Sequence, residues 1–472
     1  MQFAISTHYL AHARLCCSHI SAQRRFHTST TALRRFFTSS FTVAMASPPS
    51  TPPARIPESS NAFRFVSTGA PCEWAEDYRP GGFHPVNLGD VFHDGRYKVI
   101  RKLVAADLRK SHYVALKIMV AKASTSDTEL AILAHLSQLA RKDPKSQHVT
   151  TLLGTFSHQG PNGIHRCLVF EPMGPTAASL VEELPENQPI MYGKPVRYPY
   201  WMARKILLHA LRGLAFLHQN GVVHGDVQPG NLLFAIDDIS FVSEDQLKQD
   251  ETSTAVPLQR VDGKVDKWAP KTLYLKQSLH ERVRLAPEDL CVKLSDLGAA
   301  FWTASPPAGT VTPLGLRAPE LIMHQPPFST AIDIWAFGCL IYELITGQSL
   351  FCVMMLGHDQ QEQDDADDDH LIQLNDILRP LPEAMVAAWP RHDKWYDAEG
   401  QRLQPYADPN IEGSEEPYIH EPLEALFAEH KPPEVGDEEA KIVCGLMRRV
   451  LEYEPAKRPS AAELLEHPWF SE

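Results

Sequence analysis

No apolar run in the 472-residue sequence reaches the roughly 18 residues that a membrane-spanning helix needs, so we expect no membrane-spanning segment and no membrane partner. The eight cysteines include no C-x-x-C pair, which disfavours both a zinc ribbon and the disulfide framework of a small secreted protein. We therefore expect reduced thiols in an intracellular protein. Apolar residues make up 43% of the chain, enough to fill a sizeable core in one to three domains.

Acidic residues and lysine are absent from the first 57 residues, which nevertheless contain six arginines. The Arg-, Ser- and Thr-rich stretch RRFHTSTTALRRFFTSS has the composition of a mitochondrial transit peptide, and the Pro-rich linker PPSTPPARIP follows it. We predict a disordered leader over residues 1–60 and an N-terminal extension over 61–96. The alternative is an upstream extension without a targeting role, since Met45 offers a later start.

The remainder of the chain is strongly acidic. It holds 39 basic and 58 acidic residues, a net charge of −19. Such a surface disfavours nucleic acid as a direct partner and favours basic ligands or basic peptides. The densest run, DQQEQDDADDD over 359–369, carries seven acids in eleven positions. We interpret that run as a solvated, disordered loop.

Hydrophobic patterning divides the chain into a β-rich part and a later α-rich part. The segments YKVIRKL, HYVALKIM, TLLGTFSH and RCLVFEPMG are rich in β-branched and aromatic residues and predict strands. Between them, DTELAILAHLSQLA places Leu130, Leu133 and Leu136 on one face of a helix. The long segment YWMARKILLHALRGLAFLHQNG has helical spacing and ends at Gly221. Two lobes with a cleft between them are therefore expected.

The stretch VVHGDVQPGNLLF contains His224, Asp226 and Asn231 in the pattern H-x-D-x-x-x-x-N. Such a loop is typical of two classes of phosphotransferase, the protein kinases and the small-molecule kinases of the aminoglycoside or choline type. In both classes the Asp accepts a hydroxyl proton and the Asn holds a metal ion. Gly225 favours the second class, so the loop alone leaves the choice open.

Two further motifs flank this loop. Lys117 ends the strand VALK, and Glu129 lies on the following helix, where it could pair with the ammonium group. Downstream, KLSDLGAAF is an apolar strand that leads into the triplet Asp296-Leu297-Gly298. A lysine at a strand end is usually only solvated, and an Asp-x-Gly is usually a plain turn. Each motif alone is therefore weak evidence for a nucleotide site. Their order along the chain makes the assignment more specific.

The last third of the chain decides between the two classes. GLRAPELI contains an Ala-Pro-Glu triplet ending at Glu320, STAIDIWAFGCLIYELITGQ resembles a buried helix that carries Asp333, and EPAKRPSAAELLEHPWF supplies Arg458. With this constellation, which small-molecule phosphotransferases lack, the chain resembles a eukaryotic protein kinase from about Tyr97 to Phe470. The resemblance implies a buried Glu320–Arg458 ion pair. It also implies that Asp333 accepts hydrogen bonds from the catalytic-loop backbone.

The implied fold is α+β and bilobal, as in protein kinases. A small β-rich N-lobe with five strands and one helix is expected over 97–171, and a larger α-helical C-lobe over 172–472. Between Asn231 and Asp296 lie 64 residues, far more than a strand and a turn need. We therefore predict an insert at about 236–288 within the C-lobe.

The resemblance further implies phosphoryl transfer from Mg-ATP to a Ser or Thr hydroxyl. Asp226 would orient the hydroxyl and accept its proton, while Lys117, held by Glu129, would position the phosphates. The backbone that follows the last N-lobe strand would bind the adenine. The candidate residues are Asp226, Lys117, Glu129 and Gln228 for catalysis, Lys117, Glu171, Met173, Asn231 and Asp296 for ATP, and Asn231 and Asp296 for magnesium.

Within the kinases, the chain resembles the SR-protein kinase family, in its fungal-type branch. The features that carry this resemblance are the D-L-G triplet, Gly225 in place of the usual Arg, the insert, and the segment HLIQLNDILRPLPEAMVAAWPR. The family phosphorylates serines in Arg-Ser-rich proteins, including splicing factors, so the resemblance implies such partners, a monomer, and a cytoplasmic and nuclear location. A mitochondrial location is the alternative. The Arg that most kinases have at the position of Gly225 binds an activation-loop phosphate. Because this chain has Gly225 instead, we expect that its activity does not depend on such a phosphate.

Two departures from the kinase pattern oppose full activity. Gln228 replaces a Lys whose charge would reach the transferred phosphate, and an amide cannot neutralise that charge. No Gly occurs between Arg96 and Leu153, and only 13 residues separate Leu103 from Lys117, room for two strands and a short turn. The Gly-rich flap over the phosphates is therefore absent. Three explanations are open: a mis-spliced or mis-predicted exon, a natural short isoform, and a pseudokinase that binds without catalysis. Because the catalytic set is otherwise complete, we favour a lost segment over long functional decay.

Overall fold

The computed structural model describes residues 52, 62–140, 143–191, 193–355, 357, 359–405 and 416–471. Apart from Pro52, the predicted leader and its linker lie outside the described residues. In the part of the chain that the structure describes, no helix is long and apolar enough to cross a membrane.

A six-stranded antiparallel sheet forms the N-lobe, in the order β1-β2-β3-β4-β6-β5. Its strands are β1 (Val91–Phe92), β2 (Tyr97–Arg101), β3 (Val104–Asp107), β4 (His112–Ile118), β5 (Leu152–Gly160) and β6 (Gly163–Phe170). The four strand segments predicted from the sequence are confirmed. The sheet has six strands rather than the expected five, because β1 adds a strand from within the predicted N-terminal extension. With only two residues this strand has no alternation to detect, although Phe92 is buried in the upper core.

Strands β2 and β3 are joined by only two residues, Lys102 and Leu103. Leu103 has a φ of +74°, in the left-handed region, which lets the chain reverse at once. Strand β3 then pairs with β4 from Val104–Ala115 to Asp107–His112. The expectation that two strands fill this span and leave no room for a flap is confirmed.

One long helix packs beneath the N-lobe sheet, and the C-lobe is built mostly from helices. The helices are α1 (Thr128–Leu139), α2 (Ala177–Glu183), α3 (Tyr200–Gln219), α4 (Glu244–Leu247), α5 (Glu251–Thr254), α6 (Pro319–Ile322), α7 (Ala331–Thr346), α8 (Gln360–Ile377), α9 (Glu383–Ala388), α10 (Leu423–His430), α11 (Asp437–Val450) and α12 (Ala461–Leu465). The helices predicted around Leu133 and before Gly221 are confirmed. Gly221 has a φ of +71°, which suits a residue that ends a helix.

Within the described part of the C-lobe, three short two-stranded antiparallel sheets lie among the helices and loops. The strands are β7 (Val222–Val223), β8 (Leu232–Phe234), β9 (Ala255–Pro257), β10 (Thr272–Tyr274), β11 (Val292–Leu294) and β12 (Phe301–Trp302). Strand β8 pairs with β11 and β7 with β12, all antiparallel. The core of the lobe is the apolar helix α7, of which Trp335, Phe337 and Leu340 are fully buried. The helices and the paired strands together fix the loops that carry polar residues at the cleft.

The predicted insert is a folded segment that contains α4, α5 and the β9–β10 hairpin. It packs against the N-terminal extension through a buried ion pair and backbone hydrogen bonds. Arg64, which is 1% exposed, lies 3.1 Å from Glu76 and 3.0 Å from Asp266 of the insert. The contacts of Arg64 with Asp266 therefore tie the extension to the insert.

The interpretation of residues 359–369 as a disordered loop is wrong. Asp359 caps helix α8 by accepting from the backbone of Glu362, and most of the acidic run lies within the helix. Distant cations neutralise the carboxylates, since Arg391 Nε lies 2.9 Å from Asp368 and Lys394 Nζ lies 2.9 Å from Asp365. These ion pairs reduce the repulsion among the acidic side chains and so allow the run to be helical. Arg391 and Lys394 lie more than twenty residues downstream, so the local charge pattern does not reveal them.

Candidate active site

Lys117 lies at the centre of the cleft between the lobes. Its Nζ is 2.7 Å from Glu129 Oε1 on α1 and 2.8 Å from Asp296 Oδ1 at the end of β11. The predicted pairing with Glu129 is confirmed. Burial by itself would lower the pKa of Lys117, but the carboxylates of Asp296 and Glu129 more than offset it, and the pKa is raised. The ammonium is therefore charged at neutral pH and held where anionic groups would meet it.

The loop from His224 to Asn231 is held from below by helix α7. Asp333 accepts hydrogen bonds from the backbone N–H groups of His224 and Gly225, each at 2.8 Å, as predicted. Asp333 also lies 2.9 Å from His218 Nε2. Because Asp333 is 1% exposed, these bonds are shielded from water and fix the loop firmly.

Asp226 projects from this loop into the cleft between two amide side chains. Gln228 Nε2 donates to Asp226 Oδ1 at 2.7 Å, and Asn231 Nδ2 donates to Asp226 Oδ2 at 2.8 Å. Burial raises the pKa of Asp226, and Asp296 adds to the effect, while His224 and the two amides oppose it. Asp226 is thus a partly buried carboxylate whose ionised form is stabilised by two neutral donors.

The groups that could hold a magnesium ion converge on the same side of the cleft. Asp296 has a φ of +58° and accepts a hydrogen bond from the backbone of Gly298 at 3.3 Å. Since Asn231 uses its amide nitrogen on Asp226, its side-chain carbonyl oxygen is the atom that could bind a metal ion. Among the described residues no group of three or more His, Cys, Asp or Glu side chains forms a metal cage. Two oxygen ligands nevertheless fit magnesium, which usually takes one or two carboxylates and completes its shell with phosphates and water.

The segment that follows Asp296 is tied to the catalytic loop by hydrogen bonds. Phe301 of β12 pairs with Val223 of β7, and Thr312 Oγ1 donates to the carbonyl of Gly225 at 2.8 Å. Gly225 has a φ of +76°, and a Cβ there would lie 2.8 Å from the carbonyl oxygen of Ala299. This conformation favours glycine over Arg at position 225. The pairing of β12 with β7 and the Thr312–Gly225 hydrogen bond hold the segment without an Arg.

The connection after β6 is the predicted hinge. Glu171 and Met173 are half-buried and follow Phe170, whose strand pairs with Ala115 of β4. Glu171 Oε1 lies 2.6 Å from Lys293 Nζ, a partner that sequence reasoning missed. No local signal could have found this pair, because the two residues lie 122 positions apart. The roles of Glu171 and Met173 in binding adenine stay predictions.

The predicted ion pair between Glu320 and Arg458 is confirmed. Arg458 Nη1 lies 2.7 Å from Glu320 Oε1, and Arg458 Nη2 lies 2.7 Å from Glu320 Oε2. The guanidinium also donates to the backbone carbonyls of Ala331 and Tyr453. Arg458 is 7% exposed and Glu320 8% exposed. The bidentate pair fixes the end of the activation segment to the last helices of the C-lobe.

Comparison with known proteins agrees with this geometry. The family model of the protein kinase domain matches residues 94–248 and 280–470, more than half of the chain. The unmatched residues 249–279 fall within the insert. A solved kinase-domain structure has a TM-score of 0.53 and 20% identity, covering 82% of this chain and 98% of its own, which shows the same fold.

Curated relatives narrow the family. The chain is 28% identical to the serine/threonine-protein kinase SRPK of Physarum polycephalum, over 85% of this chain and 91% of the relative. It is 26% identical to protein kinase dsk1 of Schizosaccharomyces pombe over 85% of each chain, and 29% identical to a serine/threonine protein kinase of Aspergillus fumigatus over 88% and 95%. The chain therefore belongs to the eukaryotic protein kinase family and is a serine/threonine kinase of the SRPK-like type.

Proposed function

We propose that this kinase transfers the γ-phosphate of ATP to serine or threonine hydroxyls of Arg-rich protein substrates, with Asp226 as the proton acceptor. The observation that carries the proposal is the convergence of Asp226, Asn231, Asp296 and Lys117 on one cleft. ATP supplies the phosphoryl group, and Mg²⁺ supplies positive charge beside it.

The side chains around the cleft then have separate tasks. Asp226 Oδ2 and Oδ1 are already oriented by the amides of Asn231 and Gln228, so the carboxylate is positioned to accept a hydroxyl proton without further rearrangement. Lys117 offers a charged donor to the phosphates and is itself oriented by Glu129. Asn231 and Asp296 would hold the metal. Positioning and charge stabilisation provide most of the catalysis in this type of reaction.

The substrate class rests on charge and on the relatives. The whole chain carries a net charge of −13, which attracts basic peptides over distances comparable to the screening length. One relative bears the name SRPK, and the sequence resembles that family in its insert and in its Gly225. Arg-Ser-rich splicing factors are therefore the proposed substrates.

A pseudokinase that uses its fold for binding is the second candidate. The two-residue turn between β2 and β3 leaves no flap over the phosphates, and Gln228 brings no charge to them. A small-molecule phosphotransferase is the third candidate. The Glu320–Arg458 pair and the loop contacts of Asp333 argue against it, since both belong to the protein kinase constellation.

A phosphate-transfer assay on the purified full chain distinguishes the three candidates. Radiolabelled ATP and Mg²⁺ are offered with an Arg-Ser peptide, with the same peptide carrying Gln for each Arg, and with choline. We expect label on the Arg-Ser peptide only, and a loss of about 10²-fold or more in Asp226→Asn, because general-base catalysis contributes that much. Label on choline would support the small-molecule class. Label on no acceptor, at any enzyme concentration, would leave the pseudokinase.

We also propose that the kinase is a monomer and that protein starting at Met45 works in the cytoplasm and nucleus. The support is the family resemblance, while the Arg-rich leader favours the mitochondrial alternative. A tag at the C-terminus of the full-length protein should show cytoplasmic and nuclear signal in cells. Signal confined to the mitochondrial matrix would contradict the proposal.

A further inference from the structure

The face of the N-lobe sheet that looks into the cleft can be identified from Lys117. Its side chain on β4 reaches a C-lobe carboxylate, so this side of the strand faces the C-lobe. Side chains alternate along a strand, which places Ala115 and Tyr113 on the same face. Their cross-strand partners on β3, Val104 and Ala106, extend this face to the β2–β3 hairpin. A nucleotide held by Lys117 would lie against these side chains.

The insert already covers this face. Three hairpin residues and three insert residues, each at most 8% exposed, form one apolar cluster that consists of Ile100, Val104 and Ala106 with Ile239, Leu247 and Leu279. Tyr113 and Val242 pack at its edge. The apolar surface beneath the hairpin is therefore removed from water by the protein itself.

Polar contacts hold the insert in this position. The guanidinium of Arg101, at the end of β2, donates to the carbonyl of Leu247 at 2.8 Å and to that of Ser278 at 3.3 Å. The hydroxyl of Tyr113 donates to the carbonyl of Val242 at 2.8 Å. Arg101 is 5% exposed, and its burial is compensated by carbonyl groups of the insert.

The insert is also attached to the C-lobe. Ser278 Oγ lies 3.3 Å from Glu183, the last residue of α2, and His280 Nδ1 lies 3.1 Å from the same carboxylate. At its base, Ile236 and Val283 form an antiparallel bridge. The insert therefore runs from α2 to the hairpin and spans the opening between the lobes.

We propose that the insert is an intramolecular plug that competes with nucleotide for the cleft face of the β2–β3 hairpin. The inference rests on the proposed function, because it concerns the nucleotide site of the kinase. A surface covered by Leu247 and Leu279 cannot also receive a nucleotide base, so binding requires the insert to move away. The apparent affinity for nucleotide is then the intrinsic affinity multiplied by the fraction of molecules in which the insert is displaced.

Two changes release the plug in different ways. Leu247→Asp places a charge in the apolar cluster, which cannot accommodate it without a partner, and so expels the insert. Phe241→Asp is the matched control, because the same charge enters the same insert at a side chain that is 94% exposed. In a second variant, two glycines replace residues 238–281. The backbone N–H of Asp237 donates to the carbonyl of Arg282 at 2.9 Å, so the ends already lie close enough for a tight turn.

The affinity for Mg-ATP is measured by calorimetric titration of each full chain, after thermal melts show that it is folded. We expect Leu247→Asp and the shortened insert to bind at least about tenfold more tightly than the natural chain, which corresponds to about 1.4 kcal/mol. Phe241→Asp should bind like the natural chain. Because binding couplings are reciprocal, saturating Mg-ATP should also increase hydrogen exchange of the insert amides in the natural chain.

The outcomes separate the plug from the proposed function. Equal affinity in all four proteins would overturn the plug and leave the kinase assignment intact. An insert whose exchange protection is unchanged by bound Mg-ATP would overturn mutual exclusion in the same way. If no folded variant binds Mg-ATP, the nucleotide site itself is refuted and the plug falls with it.

Discussion

Gln228 gives the sharpest chemical test of the catalytic loop, because it touches the proposed base directly. Its Nε2 donates to Asp226 Oδ1 at 2.7 Å and thereby stabilises the ionised carboxylate. Gln228→Lys replaces that neutral donor with a charged one on a side chain one bond longer. Gln228→Met keeps the length but removes the donor. The three chains therefore form a series in which only the interaction with Asp226 and the phosphates changes.

The expected shift follows from the distance. A charge about 4 Å from the carboxylate, at an effective dielectric constant of about 20, interacts with it by about 4 kcal/mol, an upper limit of about three pKa units. Neighbouring opposite charges usually lower an Asp pKa by about one to three units. Asp226 must be ionised to accept a proton, so transfer is lost as the pH falls through its pKa. The pH at which transfer is half lost, on the acidic limb of the pH profile, should therefore be highest in Gln228→Met, lower in the natural chain and lowest in Gln228→Lys.

Single-turnover transfer to an Arg-Ser peptide, measured at saturating Mg-ATP from about pH 4 upward, reports this limb. On the plateau, Gln228→Lys should be at least tenfold faster, because one preorganised donor at developing charge is worth about 10²–10³ in rate. Acidic limbs that coincide in all three chains would refute the assignment of Asp226 as the base that titrates. A Gln228→Lys limb above that of the natural chain would refute the electrostatic reasoning, since an added cation cannot raise that pKa.

Three other predictions concern stability, regulation and the missing flap. Glu320→Ala should lower the free energy of unfolding by about 3–5 kcal/mol in urea titrations, because Arg458 stays buried without its carboxylate; a loss below about 1 kcal/mol would show that the pair is not a structural element. Phosphatase treatment should leave transfer unchanged, since hydrogen bonds to the catalytic loop rather than a phosphate hold the activation segment; abolished activity would contradict this. A Gly-rich hairpin of about ten residues grafted after Leu103 should raise transfer more than tenfold, over about 1.4 kcal/mol of barrier, and Asp226→Asn should remove the gain. Background activity in a folded graft that binds ATP would refute the idea of a lost segment.

Contacts that belong to the kinase motifs were readable from the sequence. The pairs Lys117–Glu129 and Glu320–Arg458 and the loop contacts of Asp333 all occur at the expected positions. Each partner in these contacts belongs to a sequence motif of its own. The pairing could therefore be predicted without knowing how the chain between the two motifs folds. The strands and long helices were also predictable, because their apolar spacing repeats over several turns or pleats.

Contacts that depend on the partner's position in space were not readable. The acidic run around Asp365 and Asp368 forms a helix because Arg391 and Lys394 approach it from a later segment. Locally, seven acids in eleven positions repel one another and favour a solvated chain. The same limit applies to Lys293, which pairs with Glu171 of the hinge. A single sequence contains no record of which distant charges meet.

The missing flap and the insert act on the same turn, so their effects on activity are not independent. The backbone N–H of Lys102 donates to Gln249 Oε1 at 3.2 Å and its Nζ to the carbonyl of Tyr274 at 2.9 Å, while neighbouring Arg101 donates to Leu247. A graft after Leu103 lengthens a turn that the insert holds. In the intact chain, the free-energy cost of displacing the insert therefore offsets part of the stabilisation that a new flap provides. In the shortened chain there is no insert to displace. Residues that share a contact couple energetically, so the two changes together should exceed the sum of their separate effects on the barrier.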